Sequence, residues 1–292
     1  MKRRTLIRNT APLAGLALLV CSLTAGAESV TLERIADSGI MHIGYVPDAP
    51  PMSFDSADGK TAGYSIDLCR QIAAAVKTRL GRQDIAVEYV PLVAPAERIA
   101  AVESGKVDIE CGATTVTLSR RARVDFTLMT YITGGTVVST KKRPIRTLEE
   151  LPGHTIAVID GTTTEEALRH FGDSNDFRFK MRLIKTHEEG MRLLKAGDVD
   201  GYASDRVMLI GQVVATPEAA NYVVAPSVFS FEPYSLMVRR GDTEFRLLAD
   251  SALASLYRDA RIRRLYQTWF GRYGEPMSPL VSAMYEFQAV SD

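Results

Sequence analysis

Three places in the 292-residue chain gather side chains able to hold a small charged molecule. The stretch Gly112-Ala113-Thr114-Thr115-Val116-Thr117-Leu118-Ser119-Arg120 sets a row of hydroxyls beside a guanidinium. A guanidinium presents a planar fork of donors that meets a carboxylate in two parallel, charge-assisted bonds. The competing reading of Arg120 is a solvated arginine at a helix end. Asp205 ends a second polar loop, where by itself it reads as a loop cap or a hinge salt bridge. In Gly161-Thr162-Thr163-Thr164-Glu165 a helix begins, and its free N–H groups with threonine caps favour an anion. No Ser/His/Asp arrangement and no metal-ligand spacing accompanies these loops, so the reading is a binding protein without a cofactor or metal, not an enzyme.

The elements that position these loops repeat. Ala96 to Thr115 (AERIAAVESGKVDIECGATT) and His187 to Asp205 (HEEGMRLLKAGDVDGYASD) both read as a short amphipathic helix, a stopping glycine, a Gly-x-Val-Asp step and a brief strand running into a polar loop. Each copy comes after an apolar strand, Met41 to Val46 and Thr155 to Ile159. Strands alternating with helices at this spacing predict βαβ units and mainly parallel sheets, an α/β class. Ile66, Cys69, Ile72, Ala73, Val76 and Leu80 mark a helix stopped by Gly81, and Ile85 to Val90 a strand. Two helices are expected from Phe245 to Leu256 and from Ile262 to Phe270, with Trp269 packing; Met52 and Phe54 read as wall or core, and nothing is read beyond Gly274.

The phrases GATTVTLSRRARVDFT and VESGKVDIECGATT, with PPMSFDSADGKTAGYSIDL, GTTTEEAL and YQTWFG, carry a resemblance over nearly the whole mature chain. The chain resembles the periplasmic solute-binding proteins of polar amino acid ABC transporters (family 3), and within them the glutamate/aspartate branch. That resemblance implies a two-lobed periplasmic-binding-protein (Venus flytrap) fold with two hinge crossings. It implies a free L-amino acid as ligand, glutamate/aspartate-like or otherwise polar, delivered to an ABC permease in the inner membrane. The α-carboxylate would be held by Arg120 with Thr115 and Thr163, and the α-ammonium by Asp205. Arg98 and His187 match cationic positions around the acidic side chain, although His187 also reads as an N-cap neighbour and Arg98 as a surface helical residue. Val46 and Pro95 stand where that branch has arginine and serine, Ala113 where it has serine and Ile109 where it has an aromatic, which leaves a neutral side chain open. Two other functions fit such a scaffold: a cyclohexadienyl-dehydratase-like enzyme, for which Glu110 is the only carboxylate of the first loop phrase, and a sensory binding protein.

Residues 1–27 read as a cleaved export signal: Lys2, Arg3, Arg4 and Arg8, then an apolar run from Ala11 to Leu23, then Ala25-Gly26-Ala27. Sec and twin-arginine export both fit, and either implies a periplasmic location. Without that segment, 31 basic residues face 35 acidic ones, a net charge of −4 that disfavours nucleic acid. A monomer is expected. The lobes are placed at residues 28–140 plus 233–292 and at 141–232. Cys69 and Cys111 could form one disulfide, but the place of Cys69 on an apolar helical stripe favours two buried free thiols.

Overall fold

The computed structural model describes residues 29–271, 274 and 276–291. The export signal expected at residues 1–27 lies outside them. Among the described residues no helix is long and apolar enough to cross a membrane.

The chain opens with α1 (Val30–Ser38), β1 (Ile40–Tyr45), a small hairpin sheet of β2 (Asp48–Ala49), β3 (Ser53–Asp55) and β4 (Thr61–Ala62), then α2 (Tyr64–Leu80) and β5 (Ala86–Pro91). The first repeated phrase is α3 (Pro95–Ser104) and β6 (Ile109–Glu110), continued by α4 (Leu118–Arg121) and β7 (Val124–Thr133). Next come β8 (Gly135–Thr140), β9 (Thr155–Ile159), α5 (Thr163–Ser174) and β10 (Lys180–Ile184). The second phrase is α6 (His187–Ala196) and β11 (Gly201–Asp205), trailed by α7 (Arg206–Ala215) and β12 (Tyr222–Val224). The chain returns through β13 (Glu232–Arg239) to α8 (Thr243–Arg258), α9 (Arg261–Phe270) and α10 (Pro279–Phe287).

Two five-stranded sheets result, ordered β5-β1-β6-β13-β7 and β10-β9-β11-β8-β12. In each, the βαβ half is parallel, as β1 with β5 and β6, or β9 with β10 and β11. The other half is antiparallel, because strands arriving from the opposite lobe enter against the run, as β13 on β6 and β7, or β8 on β11 and β12. The expected mainly parallel sheets are therefore evenly mixed. This is the two-lobed α/β architecture.

The repeated phrase folds the same way twice. Gly105 and Gly197 end their helices at φ +77° and +79°, a left-handed conformation that glycine enters without steric cost. The aspartate of each Val-Asp step then clasps the first strand of its own lobe. Asp108 accepts from His42 N at 2.7 Å while its own N–H donates to His42 O at 2.9 Å. Asp200 accepts from Thr155 N at 2.8 Å and returns a 2.8 Å bond to Thr155 O.

Three expectations change. Gly135–Thr140 pairs with β11 and β12, so this segment belongs to the second sheet and the first crossing falls at Gly134, ahead of the expected boundary at 140. Its run of β-branched residues suits a buried strand in either lobe, and only pairing decides which. Cys69 and Cys111 are joined in a disulfide with Cα atoms 6.4 Å apart, in place of the expected free thiols. The buried face of α2 sets Cys69 over the end of β6, a neighbour that a sequence separation of 42 residues conceals from the sequence. Past Gly274 a further helix forms, α10, begun by Ser278 capping Val281 N with Pro279 in its first turn. It docks on the first lobe through Tyr285, whose hydroxyl lies 2.7 Å from that of Tyr64.

Candidate functional site

Both crossings deliver loops to the space between the lobes. The segment after β6 lies along the start of β13, with Val116 N donating to Pro233 O at 2.8 Å and Ser235 N to Thr114 O at 3.2 Å. That pairing fixes Thr114 and Thr115 and leads into the one-turn helix α4, capped by Thr117, which carries Arg120 to the cleft. In the other lobe, β11 pairs with β8 so that Asp205 stands opposite Gly135, the first residue past the crossing. Thr162 caps α5, and Thr163 and Thr164 form its first turn.

Seven residues stand out in the sequence as candidates: Arg98, Ala113, Thr115, Arg120, Thr163, His187 and Asp205. All seven line one cavity between the lobes, together with Val46, Asp48, Pro95, Thr164, Met208 and Tyr234. The cavity is narrow, about 60 Å³. The narrowness comes from direct contact between lobes. Asp48 accepts from His187 N at 2.8 Å, Gln212 Nε2 donates to Asp48 O at 2.6 Å, and Gly211 faces the Pro50 carbonyl so closely that an added Cβ would stand 2.0 Å from its oxygen.

Charge is divided across the cavity. Arg120 is half-buried, with a 2.7 Å bond to Thr115 O and no carboxylate within ion-pair distance among the described residues. Burial and the like charge of Arg98 push its pKa down, opposed by Glu110, Glu232 and Asp205, and an arginine remains protonated through such a shift. Across from it Asp205 accepts from Thr164 Oγ1 at 2.9 Å and from the Tyr234 hydroxyl. Its pKa is pushed up to about 7, first by burial and second by the neighbouring carboxylate of Glu232. Asp205 is thus a carboxylate short of a cation, and Arg120 a cation short of an anion.

The far end of the cavity is more nearly neutral. Arg98 donates to Thr114 Oγ1 at 3.2 Å and lies 3.7 Å from Glu110, a fully buried carboxylate whose pKa burial raises against the pull of Arg98. Arg98 Nε and Glu110 Oε1 have no hydrogen-bond partner among the described residues. The His187 ring pairs with the Tyr202 hydroxyl at 2.6 Å, and burial pushes its pKa below the usual value, so it is uncharged at neutral pH.

Sequence reasoning does not reach Tyr234, Thr164 and Asp48 as cleft groups, nor Glu232, which lies just behind them. In the sequence Glu232 marks only the expected boundary between residues 232 and 233, where the chain returns to the first lobe. The carboxylate of a crossing strand is the one signal that could have marked it, since both lobes meet there. No group of three His, Cys, Asp or Glu side chains is placed to hold a metal among the described residues.

Comparison with known proteins agrees with this geometry. The family model of bacterial extracellular solute-binding proteins, family 3, matches residues 41–272. An L-glutamate/L-aspartate-binding protein of Pseudomonas aeruginosa is 31% identical over 255 residues, 87% of this chain and 84% of its own. The glutamate/glutamine/aspartate/asparagine-binding protein of Rhodobacter capsulatus is 33% identical over 229 residues, 77% of this chain and 66% of its own. A solved solute receptor for L-cysteine of Neisseria gonorrhoeae superposes with a TM-score of 0.72 at 28% identity, covering 86% of this chain and 98% of that one. By sequence match, by lobe architecture and by the charged cleft between the lobes, the chain belongs to the bacterial extracellular solute-binding proteins, family 3.

Proposed function

We propose that this protein captures a free L-amino acid outside the cytoplasmic membrane, closes its lobes around it and hands it to an ABC importer. The observation that carries the reading is the pairing of Arg120, from one lobe, with Asp205, from the other, on a single cavity. Such a cavity complements a zwitterion, and it rejects molecules lacking either charge because a desolvated charge left unpaired costs several kcal/mol. The guanidinium of Arg120 and the free N–H groups of the first turn of α5 take the α-carboxylate, and Asp205 takes the α-ammonium. A ligand touching both lobes binds the closed form better than the open one, so binding shifts the lobes toward closure. The closed shape is what a permease can recognise. A mature periplasmic monomer fits this role.

The side chain of the ligand meets Arg98, already shared with Glu110, and an uncharged His187. This end suits an acidic or amide side chain, in line with what the named relatives bind. Glu110, the carboxylate a dehydratase-like reaction would require as its acid, is fully buried and absent from the cavity lining. Calorimetry of the mature protein against the twenty amino acids tests the proposal. Tight binding by the wild type, lost in Arg120→Ala and in Asp205→Ala, supports it; full affinity in both variants overturns the site.

A further inference from the structure

Glu232 lies one layer behind the cleft. Thr115 and Thr163 line the cavity from opposite lobes, while Glu232 does not reach it and is only 2% exposed. Its Oε2 accepts from Thr115 Oγ1 at 2.7 Å and from Thr163 Oγ1 at 2.8 Å, and its Oε1 accepts from Ser230 Oγ at 2.6 Å.

A hydroxyl has one proton to donate and two lone pairs to offer. At these lengths a carboxylate oxygen, which Glu232 Oε2 offers to both hydroxyls, holds the donated proton. Thr163 has one other partner, Thr115 Oγ1, but at 3.3 Å and uncharged it competes poorly. Both protons are therefore turned away from the cavity, and lone pairs are what the two threonines show a ligand. Such a surface accepts from N–H groups and repels a bare oxygen.

We propose that Glu232 is a positioning residue that sets the hydrogen-bond polarity of Thr115 and Thr163 from behind, so that the cleft selects an α-ammonium and rejects a 2-oxo group in its place. This rests on the amino-acid reading of the cavity. It moves the two threonine hydroxyls from the carboxylate end of the ligand to its ammonium end, leaving the carboxylate to Arg120 and the N-terminus of α5.

The test compares each L-amino acid that the wild-type protein binds with its own 2-oxo acid, beginning with L-glutamate and 2-oxoglutarate, by calorimetry. Glu232→Leu removes the acceptor and frees both hydroxyl protons to meet an oxo group. The preference for the amino acid is expected to fall by about tenfold or more. Glu232→Gln, which keeps an acceptor oxygen in the place of Oε2, restores that preference, a rescue that a purely electrostatic role would not give. An unchanged preference in Glu232→Leu, or an equal loss in Glu232→Gln, overturns the proposal. If Glu232→Leu does not fold, Thr115→Val deletes one oriented hydroxyl with the carboxylate in place, and a preference it leaves intact overturns the assignment equally. A wild-type protein that binds none of the twenty amino acids overturns the amino-acid reading along with this one, whereas binding with a preference indifferent to Glu232 overturns this one alone.

Discussion

The two copies of the helix-glycine-Val-Asp phrase fold alike up to the aspartate and then part ways. After Asp108, β6 is two residues long and the chain leaves it for the threonine loop and the one-turn helix bearing Arg120. After Asp200, β11 runs five residues and passes directly into α7 with Asp205 at its N-cap. One lobe thus offers a cation on a one-turn helix, the other a carboxylate at the end of a strand. The difference teaches that a duplicated scaffold fixes where a ligand sits, while the segment leaving each copy fixes which end of the ligand its lobe receives.

Removing either charge should break this division of labour most severely. Arg120→Ala and Asp205→Ala are each expected to weaken amino acid binding by about 100-fold or more, because one end of the ligand is then desolvated without a partner. The two should differ in the ligand-free protein. Asp205 has a folded-state pKa near 7, above its unfolded value, so it favours folding at low pH and loses that contribution as pH rises through about 7. Asp205→Asn should accordingly raise the melting temperature of the ligand-free protein at pH 8, and Arg120→Ala should not; equal shifts in calorimetric scans would contradict the assigned asymmetry.

Only the first copy is pinned by a disulfide, which ties α2 to the residue after β6. Replacing Cys69 and Cys111 by alanine should cost about 2–4 kcal/mol of stability in urea titrations, from the 42-residue separation it closes. No cysteine stands in the second copy to offer a counterpart.

The two clasping aspartates should rank likewise. Asp108 is buried and also holds the Arg34 guanidinium, whereas Asp200 is partly exposed and pairs with Arg143 at 2.5 Å. Asp108→Ala is expected to destabilise by about 3 kcal/mol and Asp200→Ala by about 1 kcal/mol, since loss of a buried partner leaves uncompensated charge. Equal losses in chemical denaturation would mean that burial is not what separates the copies.

A separate test is the effect of pH on binding. Pairing with an ammonium requires ionised Asp205, whose pKa burial and then Glu232 push up to about 7 against the opposing pull of Tyr234, Thr164 and Arg120. Affinity should hold level above pH 7 and fall by about tenfold per unit below it. A flat profile between pH 5 and 8 would place the ammonium elsewhere.

Much of the fold was legible because its signals are local. Helix periodicity closed by Gly81, Gly105 and Gly197, and the Gly-x-Val-Asp step itself, depend on neighbours a few residues apart, and the helices and strands formed where these stood. The cleft loops were legible from residue type, threonines with one guanidinium and one carboxylate, only together with the family resemblance that gave them roles. What escaped was decided by partners distant in the chain. The β-branched run Gly135–Thr140 could pair in either lobe, Cys69 and Cys111 met only once α2 lay across β6, and Glu232 looked like any residue before a proline until Thr115 and Thr163 were brought to its two sides. The sequence by itself determined which groups carry charge and where helices stop, since those properties belong to single residues and single turns. Tertiary structure alone decided which charges stay unpaired and which way a hydroxyl proton points, since desolvation and hydrogen-bond direction belong to what surrounds a group.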